Sequence, residues 1–204
     1  MSRRNRSKVP SKKSFPVYLF VEGEKTERFY FELLRDKLNI SDLTIYPTKG
    51  KSGYALLEKS KSKIKLKNLD KTAPKYLIFD KDALTQEQLA DVFEKAEQED
   101  FKIGFSNLNF EVWLLAHFEK LTKRPTSPSD TKLLEKKLTE KLKQPYKKSD
   151  SKQLEKIIFN YEQAIENASM LNKADFNYQC TTIGTMIEEI LNQSATARNE
   201  KGGN

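Results

Sequence analysis

Three carboxylates fall where an α/β protein would do its chemistry. Glu22 closes the apolar run VYLFVE at 17–22, Asp80 closes YLIFD at 76–80, and Asp82 follows two residues later. In open α/β sheets, ligands bind beyond the carboxyl ends of the strands, where the strand order reverses. An order 2-1-3-4 makes the strands that carry Glu22 and Asp80 neighbours, and an extended D-x-D segment turns Asp80 and Asp82 to the same side. Converging carboxylates repel one another unless a cation sits among them, and hard divalent ions prefer oxygen ligands. The spacing therefore predicts a Mg²⁺ or Mn²⁺ site, with Glu22, Asp80 and Asp82 as its catalytic groups and ligands. The plainer reading is that strand-end acids form turns or complement the helix N-termini that follow. Glu24 and Glu27 suit that role, although Glu27 also suits a second metal position.

The elements that must hold these residues alternate strand and helix. After the strand at 17–22, Gly23 breaks the run, and Phe29, Tyr30, Leu33, Leu34 and Leu38 recur at helical spacing. Leu43–Tyr46 reads as a second strand ended by Pro47, followed by a lysine-rich helix that stops before Pro74. Tyr76–Asp80 is a third strand. Thr85 and Gln88 form a capping-box pattern for the next helix, and Ile103–Ser106 is a fourth strand. From Phe110 onward only helices are legible, at 110–118, 131–142, 151–170 and 182–191. Short connections between alternating elements require crossovers, hence a parallel sheet covered by helices. The expected fold class is α/β: a parallel sheet of about four strands over 15–120 and an all-helical extension over 121–193. A basic arm at 1–14 and a frayed tail at 194–204 flank them.

Composition narrows the partners. The 204 residues carry a net charge of +8, with 37% hydrophobic content, enough for one cored domain plus an extension. One Cys and one His exclude a disulfide framework and a Cys/His zinc cage. No apolar run reaches the ~20 residues of a membrane span, so a cytoplasmic protein with no membrane partner is expected. The positive charge is clustered: six basic residues and no acid in 1–13, nine lysines against two acids in 49–75, and twelve basic against five acidic residues in 120–156. Clustered lysine gains from counterion release on phosphate, which predicts a nucleic-acid partner. Lys49 and Lys51, beside the expected site, and Lys136, Lys137 and Lys141 on a helix are the candidate phosphate contacts. The competing view is a set of solvated helix faces.

The segments EGEKTE at 22–27, FDKD at 79–82 and SNLNFEVWLLAHF at 106–118 resemble the RloB family. That family is a branch of Toprim-like proteins associated with bacterial defence loci. The resemblance covers most of residues 15–150 and implies a Toprim-like sheet. It also implies Glu22 as acid–base or metal-ligating glutamate and Asp80 and Asp82 as Mg²⁺ ligands. Glu27 and Glu111 match the extra carboxylates of the related OLD nucleases. Three departures stand out. Leu108 occupies the place where proline is expected, the D-x-D lacks the glycine that often follows it in primases, and the spacing from Glu22 to Glu27 is one residue longer than in OLD enzymes.

The function expected from these features is a divalent-metal-dependent nuclease acting on DNA or RNA in anti-phage defence, with a defence-system protein as a further partner. Two alternatives come from other classes. One is a catalytically silent nucleic-acid-binding subunit. The other is a receiver-like phosphoacceptor, which requires a lysine after a fifth strand, and no fifth strand is legible. Gly50-Lys51-Ser52 resembles the end of a P-loop, but the earlier glycine is missing and Pro47 interrupts the loop. Asn107 or Asn109 is expected to cap the helix after the fourth strand. His117, about 240° around that helix from Glu111, is expected at the helix end rather than on a metal.

Overall fold

Two strands buried along almost their whole length lie inside the sheet; a carboxylate, Glu22, follows the first and another, Asp80, ends the second. The computed structural model describes residues 15–82 and 84–202, with side chains to residue 196. The basic arm expected at 1–14 lies outside the described residues. Val17–Val21 (β1) and Lys75–Asp80 (β3) pair in parallel, flanked by Leu43–Pro47 (β2) and Lys102–Asn107 (β4). Their near-continuous apolar runs are what a parallel sheet covered on both faces demands. The order is β2-β1-β3-β4-β5, so the expected 2-1-3-4 arrangement holds.

The fifth strand is the departure from expectation. Cys180–Thr181 (β5) pairs antiparallel with Asn107 and Ser106 at the edge of β4. Two residues carry no legible period, so only tertiary contact reveals them. Thr182 extends the cover: its side chain accepts from the Phe105 amide and donates to the Ile103 carbonyl.

The helices joining the strands are Thr26–Leu38 (α1), Gly53–Lys67 (α2) and Gln86–Gln98 (α3), the last opened by the expected Thr85–Gln88 capping box. Then come Glu111–Ala116 (α4), Asp130–Leu142 (α5), Ser151–Ile158 (α6), Tyr161–Ala168 (α7) and Ile183–Gly202 (α8). The stretch expected as one helix over 151–170 breaks at Phe159–Asn160. Its halves serve different partners, α6 packing on α1 and α7 on α4 and α8. At the other end, α8 runs on to Gly202 through the stretch from Ser194 that the sequence suggests as a tail.

Every residue of α4 is buried, and one apolar core runs from the sheet through α4 into the helical extension. Asn107, at the end of β4, ties these layers together. Its amide nitrogen donates to the carbonyls of Asp175 and Tyr178 at 2.9 Å each, and its oxygen accepts from Thr126 Oγ1 at 3.1 Å. Asn107→Ala strips three bonds from a fully buried side chain, takes the amide donor from the Tyr178 carbonyl and leaves the Asp175 carbonyl with only the Cys180 thiol. We expect a destabilisation of about 2–4 kcal/mol. Thermal unfolding should show it as a fall of roughly 5–10 °C in melting temperature.

Candidate functional site

The parallel register carries Glu22 and Asp80 to the same end of the sheet. Val21 stands beside Ile78, so Glu22 lies one step past the paired region of β1, and Asp80 is paired with Ser106 at the end of β3. The Glu22 amide still donates to the Ile78 carbonyl at 3.0 Å, and its carboxylate Oε2 lies 3.5 Å from the Asp80 amide. The loop after β2 closes over this point: the Gly50 amide donates to the Glu22 carbonyl, and Thr48 Oγ1 to the Val21 carbonyl. Burial raises the Glu22 pKa, the Ser52 hydroxyl beside it lowers it, and Asp82 raises it again.

Gly23 matters for the space it leaves rather than for its backbone conformation. A Cβ added there would collide with the Glu27 carboxyl group, which lies back over the first turn of α1. The absence of a side chain at Gly23 therefore lets Glu27 join Glu22. The spacing alone also allows Glu27 to be only a helix-end charge. The fold places it in the electrostatic cluster, with Glu22 and Glu111 both acting on it.

Asp80 accepts the Phe110 amide at 3.0 Å through Oδ2, which couples β3 to the start of α4. The extended D-x-D expected from the spacing is not realised, because the chain turns at Asp82 with φ of 39° and Leu84 donates back to the Lys81 carbonyl. Asp82 nevertheless acts on both Glu22 and Asp80. Glu111 is 3% exposed, and its Oε1 accepts from Tyr146 Oη at 3.0 Å and pairs with Lys148 Nζ at 3.2 Å. Sequence reasoning missed Tyr146 and Lys148. They lie in a proline-containing loop read only as a connection, and nothing in its spacing links it to residues 35 positions away.

The five carboxylates share one electrostatic environment. Burial, then Glu27, Glu111, Glu22 and Asp82, hold Asp80 well above the ordinary carboxylate range. Burial likewise pushes Glu27 up to about 7, with Glu111 and Glu22 adding to it and Lys148 opposing. Such an all-oxygen donor set suits a hard divalent cation. Asn109 Oδ1, in a residue 5% exposed, has no hydrogen-bond partner among the described residues. The carboxylates are gathered without being closed into a shell: among the described residues, no three Asp, Glu, His or Cys groups form a ready metal-ligand set.

The candidate phosphate-binding lysines divide into two groups. Lys49 and Lys51 are exposed on the loop that covers Glu22, beside the carboxylates. Lys137 and Lys141 both grip Glu119, at 2.9 and 2.8 Å, so their charge is partly compensated within the fold; Lys136 is exposed on the same helix. Neither asparagine caps α4: its N-cap is Phe110 without a side-chain bond, and Asn109 contributes only its backbone carbonyl. His117 is buried, with Nδ1 donating to the Trp113 carbonyl and Nε2 accepting from Tyr30 Oη. Burial lowers its pKa to about 4, so it is neutral and structural.

A family model described as RloB-like protein matches residues 17–190. The chain belongs to the RloB-like family. No curated protein and no solved structure gives a match. The RloB-like region therefore spans both the sheet and the helical extension, including the loop that brings Tyr146 and Lys148 to Glu111. Within it, the Asn107–Leu108 peptide is cis at the position where the resemblance leads one to expect proline, the residue most tolerant of that geometry. Among the described residues, no helix of this RloB-like chain is long and apolar enough to cross a membrane.

The shifted carboxyls predict a pH signature. Glu27, with its folded pKa raised from 4.5 to about 7, favours the folded state below its unfolded pKa, and that contribution is lost as pH rises through the folded value. Glu27→Gln removes the titration. In chelator, its melting temperature should gain on wild type between about pH 4.5 and pH 7 and level off above. A constant difference across that window would show that Glu27 is not desolvated.

Proposed function

We propose that this RloB-like protein is a divalent-metal-dependent nuclease that hydrolyses phosphodiester bonds of nucleic acid in bacterial defence. The observation that carries this reading is the gathering of Glu22, Glu27, Asp80, Asp82 and Glu111 at the carboxyl ends of neighbouring parallel strands. Their proposed ion, Mg²⁺ or Mn²⁺, would supply Lewis-acid stabilisation of the phosphoryl oxygens. Glu22, Asp80 and Asp82 would hold it, with Glu27 and Glu111 available for a second position.

Glu22 is the acid–base group in this proposal. A carboxyl whose pKa burial raises above that of an ordinary glutamate is a stronger base once ionised. As carboxylate it takes a proton from the attacking water as the new P–O bond forms. It then returns that proton to the leaving oxygen as the old P–O bond breaks. Asp80 is kept from swinging away by the Phe110 amide. Lys49 and Lys51 face the phosphate backbone from the loop over Glu22, where they orient the strand and offset its charge.

Incubation of the purified protein with labelled DNA, mRNA and tRNA in Mg²⁺, Mn²⁺ or EDTA tests the activity. We expect cleavage in either metal and none in EDTA. Glu22→Gln should abolish it with an unchanged circular dichroism spectrum, and Asp80→Ala/Asp82→Ala should sharply weaken Mn²⁺ binding by titration. Full activity in Glu22→Gln would overturn the proposed mechanism, while binding without cleavage under every condition would identify a silent nucleic-acid-binding subunit.

Charge reversal at Lys49 and Lys51 should weaken nucleic-acid binding and flatten its log–log salt dependence by about 0.7–0.9 for each phosphate no longer neutralised. The same change at Lys137 and Lys141 should cost less, because Glu119 already compensates them. Equal weakening from both pairs, measured by fluorescence anisotropy across a salt series, would contradict the proposed path of the strand.

A further inference from the structure

We propose that Lys148 is the resident counter-cation of the carboxylate cluster, and that its ammonium group competes with a divalent ion for Glu111. Among the described residues, Lys148 is the one side-chain cation ion-paired to any of the five carboxylates. It lies 3.2 Å from Glu111 Oε1 and 3.5 Å from Glu135 Oε1. The loop that presents it is fixed at several points. The Tyr146 amide donates to Thr139 Oγ1, and the buried Gln153 donates to the Pro145 carbonyl while accepting from the Lys147 amide. Lys143 and Ser149, both with positive φ, turn the chain on either side, and Asp150 then caps α6. Lys148 is thus aimed at Glu111 by a tethered loop.

Glu111 is almost wholly buried, and a buried carboxylate without a partner is costly. Tyr146 supplies a hydrogen bond but no charge, so neutralisation falls to Lys148. The contact is made at the same oxygen that Tyr146 uses, Oε1, so the two groups together occupy that end of the carboxylate. A divalent ion drawing on Glu111 meets a positive charge already beside it. The Lys148 side chain is 52% exposed, so it has solvent to retreat into, and Glu135 remains as its second partner. The resulting exchange keeps Glu111 compensated whether or not metal is bound.

The competition rests on the metal reading of the site, whereas the counter-cation role does not, and two measurements separate them. The first is a double-mutant cycle by thermal unfolding in EDTA, with Lys148→Met, Glu111→Gln and both changes together. We expect Lys148→Met to lower the melting temperature by about 3–6 °C. Lys148→Arg should keep the wild-type value, and Lys148→Met should have little effect in the Glu111→Gln background. Equal effects in both backgrounds, or no effect in either, would overturn the counter-cation role. The second is Mn²⁺ titration, in which Lys148→Met should bind about tenfold more tightly than wild type because a nearby like charge has been removed. Unchanged or weaker binding would overturn the competition. Absence of Mn²⁺ binding in wild type and variant alike would overturn both the competition and the metal reading, leaving the unfolding cycle to decide the counter-cation role.

Discussion

Mutual repulsion among carboxylates is the constraint around which this end of the molecule is organised. A parallel sheet in the order β2-β1-β3-β4 forces Glu22 and Asp80 to the same end, and no local rearrangement can part them without breaking strand pairing. The fold meets that repulsion piecemeal: the Phe110 amide holds Asp80, the Asp80 amide lies against Glu22, and Tyr146 and Lys148 engage Glu111. These are charge-stabilising contacts at individual groups rather than one neutralising network. Asp80 and Glu27 accordingly retain strongly raised pKa values.

The helical extension is part of this arrangement. Helix α4 begins at Glu111, the residue after the amide that binds Asp80, and is buried along its whole length. Its burial requires α5 and α7 as cover, and the connection from α5 to α6 returns Tyr146 and Lys148 to the carboxylates. Asn107 and Thr182 fasten the edge of β4 to later segments in the same way. Stability and site geometry therefore share the same contacts, since the layers that exclude water from the core also hold the acidic groups in register.

The sequence by itself determined the elements with strong local signals. Four apolar runs interrupted by helical periodicity identified β1 to β4, and Thr85 with Gln88 marked the start of α3 through a cap made within four residues. The acids at the strand ends were legible because strand ends can be read from hydrophobicity. The family was legible from the short segments around Glu22, Asp80 and Glu111. Tertiary structure alone decided the rest. Two residues of β5 have no period, and the break between α6 and α7 follows from two packing partners rather than from a helix-breaking residue. The turn at Asp82 depends on bonds that local propensity does not report, and Lys137 and Lys141 give up their apparent freedom to Glu119. Lys148, one lysine among many, becomes distinctive only when the fold sets it against Glu111. Charge and hydrophobicity are written residue by residue, but which charges meet depends on long-range packing, and the electrostatics of this site are made there.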